Sequence, residues 1–362
     1  MTLPASGNVI KVSQINTELG KASNAAINYS DSAVRTLLGV PSGVIKISDG
    51  YGKTNISPLV AVGWENPFYS TNGTTWSLGN WPSGLNYVNP GQPYQWNPVI
   101  FGNGKYVAAT NGSFPNTKVA YTTDGITWIA SGSMPINAAY TCGAYGGGVY
   151  VFLSNQGGAN MITSTDAVNW TSRTLSGANW TNMKYGNGVF LATAGSTTVG
   201  KSTDGTTWST VTYSRTRGGM GYGNGMWLQV GPAVNAAPNY GKAYYYTSTD
   251  NAATWTERIG PYQVDRNGFE SPAGFNGVIY GGGTWVMFSD AYSSAYSTDG
   301  INWTTFMLPA NGGWSRGTYS NGLFVIVGNS TNRVVTSPDG ANWTTRSVPS
   351  ISHSIYDVAA AS

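Results

Sequence analysis

A seven-residue pattern, Ser/Thr-x-Asp-Gly-x-x-Trp, recurs seven times between residues 70 and 343 and leaves few folds open to the chain. The copies are Ser70–Trp76, Thr122–Trp128, Ser164–Trp170, Ser202–Trp208, Ser248–Trp255, Ser297–Trp303 and Ser337–Trp343. Successive tryptophans lie 52, 42, 38, 47, 48 and 40 residues apart, the length of one four-stranded antiparallel blade. Asn72 replaces aspartate in the first copy and Ala167 replaces glycine in the third; the fifth is one residue longer, with Asp250 and Ala252 in the key places. The chemistry is that of a hairpin turn. The Asp or Asn side chain accepts backbone N–H groups across the turn, the next residue takes a positive φ, and tryptophan buries a ring on returning to the sheet.

A second landmark precedes six of the seven copies: FGNGKYV at 101–107, YGGGVYV at 145–151, YGNGVFL at 185–191, YGNGMWL at 222–228, YGGGTWV at 280–286 and YSNGLFV at 319–325. Each is a two-residue turn flanked by strand-forming aromatic and β-branched residues. The first tryptophan hairpin has only Leu59–Val62 before it, and Ser354–Val358 reads as an inner strand with nothing after it. Pairing these two runs completes a seventh blade and removes the open edge that would invite aggregation. The fold class expected is all-β: a seven-bladed β-propeller over 56–362, preceded by a small, mostly helical or irregular module at 1–55.

Composition narrows the function. Only 9% of residues are charged and the net charge is +3, of which residues 1–55 supply five basic and three acidic side chains. A nearly neutral propeller lacks the clustered Lys and Arg that phosphate backbones demand, so nucleic acid is not an expected partner. Cys142 is the only cysteine, which excludes an intrachain disulfide and suits a small buried residue. His353 is the only histidine, which excludes a His-rich metal site; no metal and no cofactor are expected. The Gly-x-Gly turns do not open helices, so they are not dinucleotide loops. No apolar run resembles a signal peptide or spans a bilayer, so membrane insertion is not expected, and action outside a cell would follow release by another route.

In residues 1–55, Ser13 can cap a short helix ending at Gly20, and Ser30 or Asp31 a second through Leu38. So small a unit is marginal alone. Two readings are open: a disordered leader and linker, or a docking module that orders within an assembly.

Two resemblances add expectations. The tryptophan hairpin resembles the Asp-box of sialidases and related propellers, in which it lies at the blade periphery; this implies that Asn72, Asp124, Asp166, Asp204, Asp250, Asp299 and Asp339 are structural. The runs at 6–20 and 30–53 resemble a leader at the N-terminus of bacteriophage tail and other virion proteins. The matching residues are Ser6-Gly7, Ser13-Gln14-Ile15, Glu18-Leu19-Gly20, Ala33-Val34-Arg35, Val40-Pro41-Ser42-Gly43 and Tyr51-Gly52-Lys53. That resemblance implies a module which attaches the protein to a particle, assembled in the host cytoplasm and acting outside the host cell, whether on tail or head.

A sialidase-type enzyme would need an arginine cluster, a tyrosine–glutamate pair and an acid/base aspartate. None of the nine arginines has the Arg-Ile-Pro setting of sialidases, Arg258-Ile259-Gly260 departing at the proline. Outside the hairpins, Asp265 and Glu270 are the one carboxylate pair close enough along the chain to test as a glycosidase pair. No catalytic residue is assigned. Binding is expected instead on the face that carries the middle-hairpin loops and inter-blade connections, which vary in length and content. Its candidate ligand residues are Trp81, Tyr87, Tyr94, Trp96, Trp180, Tyr240, Tyr262, Asp265, Arg266, Glu270, Tyr292, Trp314 and Arg316, with Arg333 nearby. Aromatic rings with few charges suit the C–H faces of sugars or a protein patch. The expected function is a receptor-binding virion protein whose partners are other tail proteins and a host-surface glycan or protein. The alternatives are a structural or decorating subunit and, third, a glycoside hydrolase.

Overall fold

The computed structural model describes residues 15–16, 18–20 and 32–38 and, from 58 to 361, all but 86, 90–91, 113–116, 156–159, 178, 195–196, 214–217, 235–237, 241, 263–268, 270–273, 291, 329–332 and 350–353. The chain divides into two units, Met1–Ser57 and Pro58–Ser362. In the first, a helix at Ser32–Leu38 buries Val34 and Leu37. The capping candidates Ser13, Ser30 and Asp31 lie outside the described residues.

The second unit is seven four-stranded antiparallel sheets. Six are formed by consecutive strands; their innermost strands are Trp96–Gly102, Tyr140–Gly146, Trp180–Gly186, Met220–Gly223, Gly277–Gly281 and Trp314–Ser320. The remaining blade combines Leu59–Gly63, Phe68–Ser70 and Ser77–Leu78 with the C-terminal Ile355–Ala360, and its register pairs Leu59 with Ala360 and Val62 with Asp357. The ring therefore closes as the leftover runs predict, with a closing strand that starts one residue later and extends two further. The connection after this blade adds a two-stranded sheet, Tyr87–Asn89 with Gln92–Pro93.

Burial peaks at the second strand of a blade and falls outward from it, while the innermost strand is partly open to the axis. The second strand of the fourth blade, Val189–Ala194, is buried at every position, whereas the outermost strand, Ser209–Thr212, is exposed at every position. Strands covered on both faces read as continuous apolar runs, and the outer ones are Ser- and Thr-rich because only their backbone is needed.

The tryptophan hairpins form one hydrogen-bond pattern. In Ser202–Trp208, Asp204 Oδ1 accepts the N–H groups of Thr206 and Thr207 at 2.7 Å each, and Ser202 Oγ accepts the Gly205 N–H at 2.9 Å. Asn72 makes the equivalent bonds to Thr74 and Thr75 at 2.9 and 2.8 Å, so an amide serves where no charge is needed. Ala167 and Ala252 hold the positive φ, 65° and 62°, that glycine takes elsewhere.

The aromatic–Gly pairs lock one blade to the next. A Cβ on Gly102, Gly146, Gly186, Gly223 or Gly281 would overlap the ring of Tyr145, Tyr185, Tyr222, Tyr280 or Tyr319 from the following blade. Register explains why the seventh blade has Ser320 instead. Leu59 pairs with Ser70 and Ala360, as Tyr150 pairs with Ser164 and Tyr145, so the closing strand offers alanine where the other blades offer a ring. Ser320 has room there, and its Oγ donates to Ala361 O at 3.3 Å.

Candidate functional site

Strand direction sorts the loops into two faces. The Gly-Asn-Gly turns and tryptophan hairpins share one; the loops between second and third strands share the other with the inter-blade connections. Five of the aromatic candidates assigned to this second face are core residues, which corrects the sequence reading. Trp96, Trp180 and Trp314 are 0% exposed, and Trp81 and Tyr94 are also buried. Trp81 stacks on Trp96 with ring centroids 4.0 Å apart, touches Trp128 at 4.6 Å and donates its indole N–H to Glu65 O, filling the seam beside the closing blade. Trp96, Trp180 and Trp314 open inner strands, each five residues before the aromatic that precedes the turn, and Tyr140 does the same in the third blade. That repeated spacing was the available sign of a structural ring.

The other candidates are scattered. Tyr240 is 51% exposed, and Tyr262 is half-buried with Lys242 Nζ lying 4.7 Å from its ring centroid. Tyr292 is half-buried and its carbonyl accepts the Leu308 N–H, and Arg333 is exposed at the start of a third strand. Tyr87 lies in a strand, but its side chain is outside the described residues, as are Asp265, Arg266, Glu270 and His353. The hairpin aspartates are occupied by their own turns.

Arg316 is the candidate that marks a site. It lines a mouth cavity of about 580 Å³ on the loop face, together with Asn182, Asn276, Asp290, Asn311 and Trp314. Beneath lies an axial channel of about 300 Å³ walled by all seven innermost strands, with Asn182, Gly219, Asn276, Ser315 and Arg316 common to both spaces. The guanidinium donates from Nη2 to Thr181 O at 3.0 Å and from Nη1 to Ser315 O at 3.1 Å. Thr181 belongs to the fourth blade and Arg316 to the seventh, the widest separation a seven-membered ring allows, so the side chain crosses the axis.

Strand register places Cys142, Asn182, Arg316 and Asp357 on one rung of the channel. Asp357 is buried and accepts the Val99 N–H at 3.0 Å and the Val358 N–H at 2.9 Å. Burial raises its carboxyl above the usual range, against the opposing pull of Arg316. Burial likewise pushes the Cys142 thiol up to about 12, so it is no nucleophile near neutral pH. Asn182, Asn276, Asp290 and Asn311 were not among the sequence candidates. Asn182 could have been found as the third residue of an inner strand, the place Arg316 holds; the other three sit in connections without a repeating signal. No group of three or more His, Cys, Asp or Glu able to hold a metal occurs among the described residues, and no helix among them is long and apolar enough to cross a membrane.

No protein-family model matches the chain, and no curated protein matches it. Solved structures do. The computationally designed Ika8 protein superposes with a TM-score of 0.51 at 10% identity, covering 83% of this chain and 90% of that one. A chain of a nidogen/laminin complex gives 0.49 at 11% identity, covering 83% and 97%; YCF48 from Cyanidioschyzon merolae gives 0.49 at 11%, covering 73% and 86%. At such identities the likeness is one of fold, a β-propeller.

Proposed function

We propose that the chain is a non-enzymatic binding protein of a virus particle, in which the N-terminal unit attaches to other virion proteins and the loop face holds a host-surface glycan. A propeller fold is consistent with a binding role. The observation that carries the proposal is the mouth cavity. Three amides, a carboxylate and a guanidinium converge there, a donor and acceptor set that matches sugar hydroxyls, and exposed Tyr240 stands on the same face. The particle assignment rests on the leader resemblance at 6–20 and 30–53.

Purified protein should bind host cells or their polysaccharide, and Asn311→Ala with Arg316→Ala should weaken that binding at least tenfold while the ring stays folded. No binding, with the loop face found packed against neighbouring particle proteins, would instead establish a decorating subunit. Release of reducing sugar, abolished by Asp265→Asn or Glu270→Gln, would overturn the non-enzymatic reading.

A further inference from the structure

We propose that the axial channel beneath Arg316 is a binding site for a small monocarboxylate anion with a short apolar tail. The site lies below the loop-face mouth and shares Arg316 with it, but Lys184 and Asp357 line the channel alone, so it stands whether or not the face binds a glycan.

The argument starts from charge. Among the described residues three Lys, Arg, Asp or Glu side chains line the channel: Arg316 and Asp357 on one rung and Lys184 on the next rung inward. Lys184 lines the channel with its surface exposed to that space, and the protein packed around it lowers its ammonium from the usual lysine range. Neither cation reaches ion-pairing distance of Asp357, and the Lys184 ammonium has no hydrogen-bond partner among the described residues. Asp357 is held by two backbone N–H groups. The guanidinium has two N–H groups committed to carbonyls and three without a partner among the described residues. Two cations against one carboxylate leave the channel one positive charge in excess, with unspent donors on both cations. Charges gathered in a narrow channel interact more strongly with a paired, hydrogen-bonded partner than they would in bulk water.

The form of the missing partner follows. A monoanion neutralises the channel, whereas a dianion such as phosphate would reverse its sign. A planar carboxylate matches the guanidinium fork, which a halide cannot. The rung that carries Lys184 is otherwise uncharged, and Ile100, Ala144 and Ala359 of that rung line the channel, so a short alkyl group has a wall to pack against. The cavity of about 300 Å³ holds such a molecule.

The probe is sodium propionate, compared with sodium chloride and sodium phosphate at equal ionic strength on the full chain. Propionate should raise the melting temperature more than either salt and show saturation transfer to its methyl group. Lys184→Met should weaken its binding about tenfold or more, the scale expected for a charged hydrogen bond. Should that variant fail to fold, the wild-type protein still decides: propionate should protect Lys184, and not Lys118, from reductive methylation, read by mass spectrometry. Equal shifts for all three salts, propionate binding unchanged in Lys184→Met, or methylation of Lys184 at the same rate with and without propionate would each overturn the site.

Discussion

The two faces of the propeller differ in how much they repeat. On one, six turns of two or so residues accompany seven hairpins, six of which use a single set of hydrogen bonds while the fifth, one residue longer, shifts the donors by one. On the other, the inter-blade connections range from the short run at 308–313 to the long stretch at 79–95, and the mouth cavity draws on unlike residues from several connections. A repeat records what every blade needs in order to fold. A ligand needs particular residues at particular places, so it is met where the sevenfold pattern breaks. Arg316 and Asp357 illustrate this, because the equivalent positions of other blades hold Cys142, Asn182 and Gly277.

The sharpest test of that division is to compare two aromatics that the sequence groups together. Trp96 is fully buried against Trp81 and Tyr94, whereas Tyr240 is half-exposed. Truncating a buried tryptophan removes its transfer energy and leaves a cavity, so Trp96→Ala should cost about 3–5 kcal/mol. Chemical denaturation measures this. A loss below about 1 kcal/mol would mean that the ring is available to a ligand after all.

The glycines beside the inter-blade tyrosines come next in size. Gly281→Ala places a methyl group into the Tyr319 ring and should cost about 1–3 kcal/mol, as overpacking does. Ser320, at the same place in the seventh blade, faces alanine and loses one hydrogen bond on substitution, so Ser320→Ala should cost about 1 kcal/mol or less. Equal losses at the two positions would break the account of why serine stands at one and glycine at five.

These residues show what was legible. Blade number, hairpin chemistry and closure could be read because each depends on local spacing. The depth of a ring could not be read from its loop-like neighbours: Trp81 and Tyr94 lie in a connection yet fill the seam between blades. The channel was hidden for a different reason. Lys184, Arg316 and Asp357 are separated by 132 and 41 residues, and only the closed ring brings them to one axis.

The hairpin aspartates give a smaller, pH-dependent effect. Asp166, Asp204, Asp250, Asp299 and Asp339 are held below the ordinary carboxylate range chiefly by donors of their own turns; at Asp124 burial opposes the shift and the turn donors outweigh it. Because the folded values lie below the unfolded ones, near 4, the stabilisation is complete at neutral pH and is lost as pH falls below about 4. The carboxylates are solvent-exposed, so screening keeps each contribution small. Asn72 already shows that an amide makes the bonds without titrating. Replacing all six aspartates by asparagine should flatten the acid limb of the melting-temperature profile with little change at pH 7. An unaltered acid limb would place the acid sensitivity elsewhere.

The smallest effect on folding is expected where the effect on binding should be plain. Tyr240 stands on the loop face at 51% exposure, and its loss removes little buried surface, so Tyr240→Ala should change stability by no more than about 0.5 kcal/mol. Aromatic rings that stack on sugars or proteins do so with the exposed face, and truncating one that matters at an interface costs about 1–2 kcal/mol of affinity, or about tenfold. Binding to host polysaccharide measured beside chemical denaturation separates the two quantities. A variant that folds normally and binds as well as the parent would remove Tyr240 from the contact and confine the interaction to the mouth around Arg316; one that unfolds would move it, with Trp96, into the core.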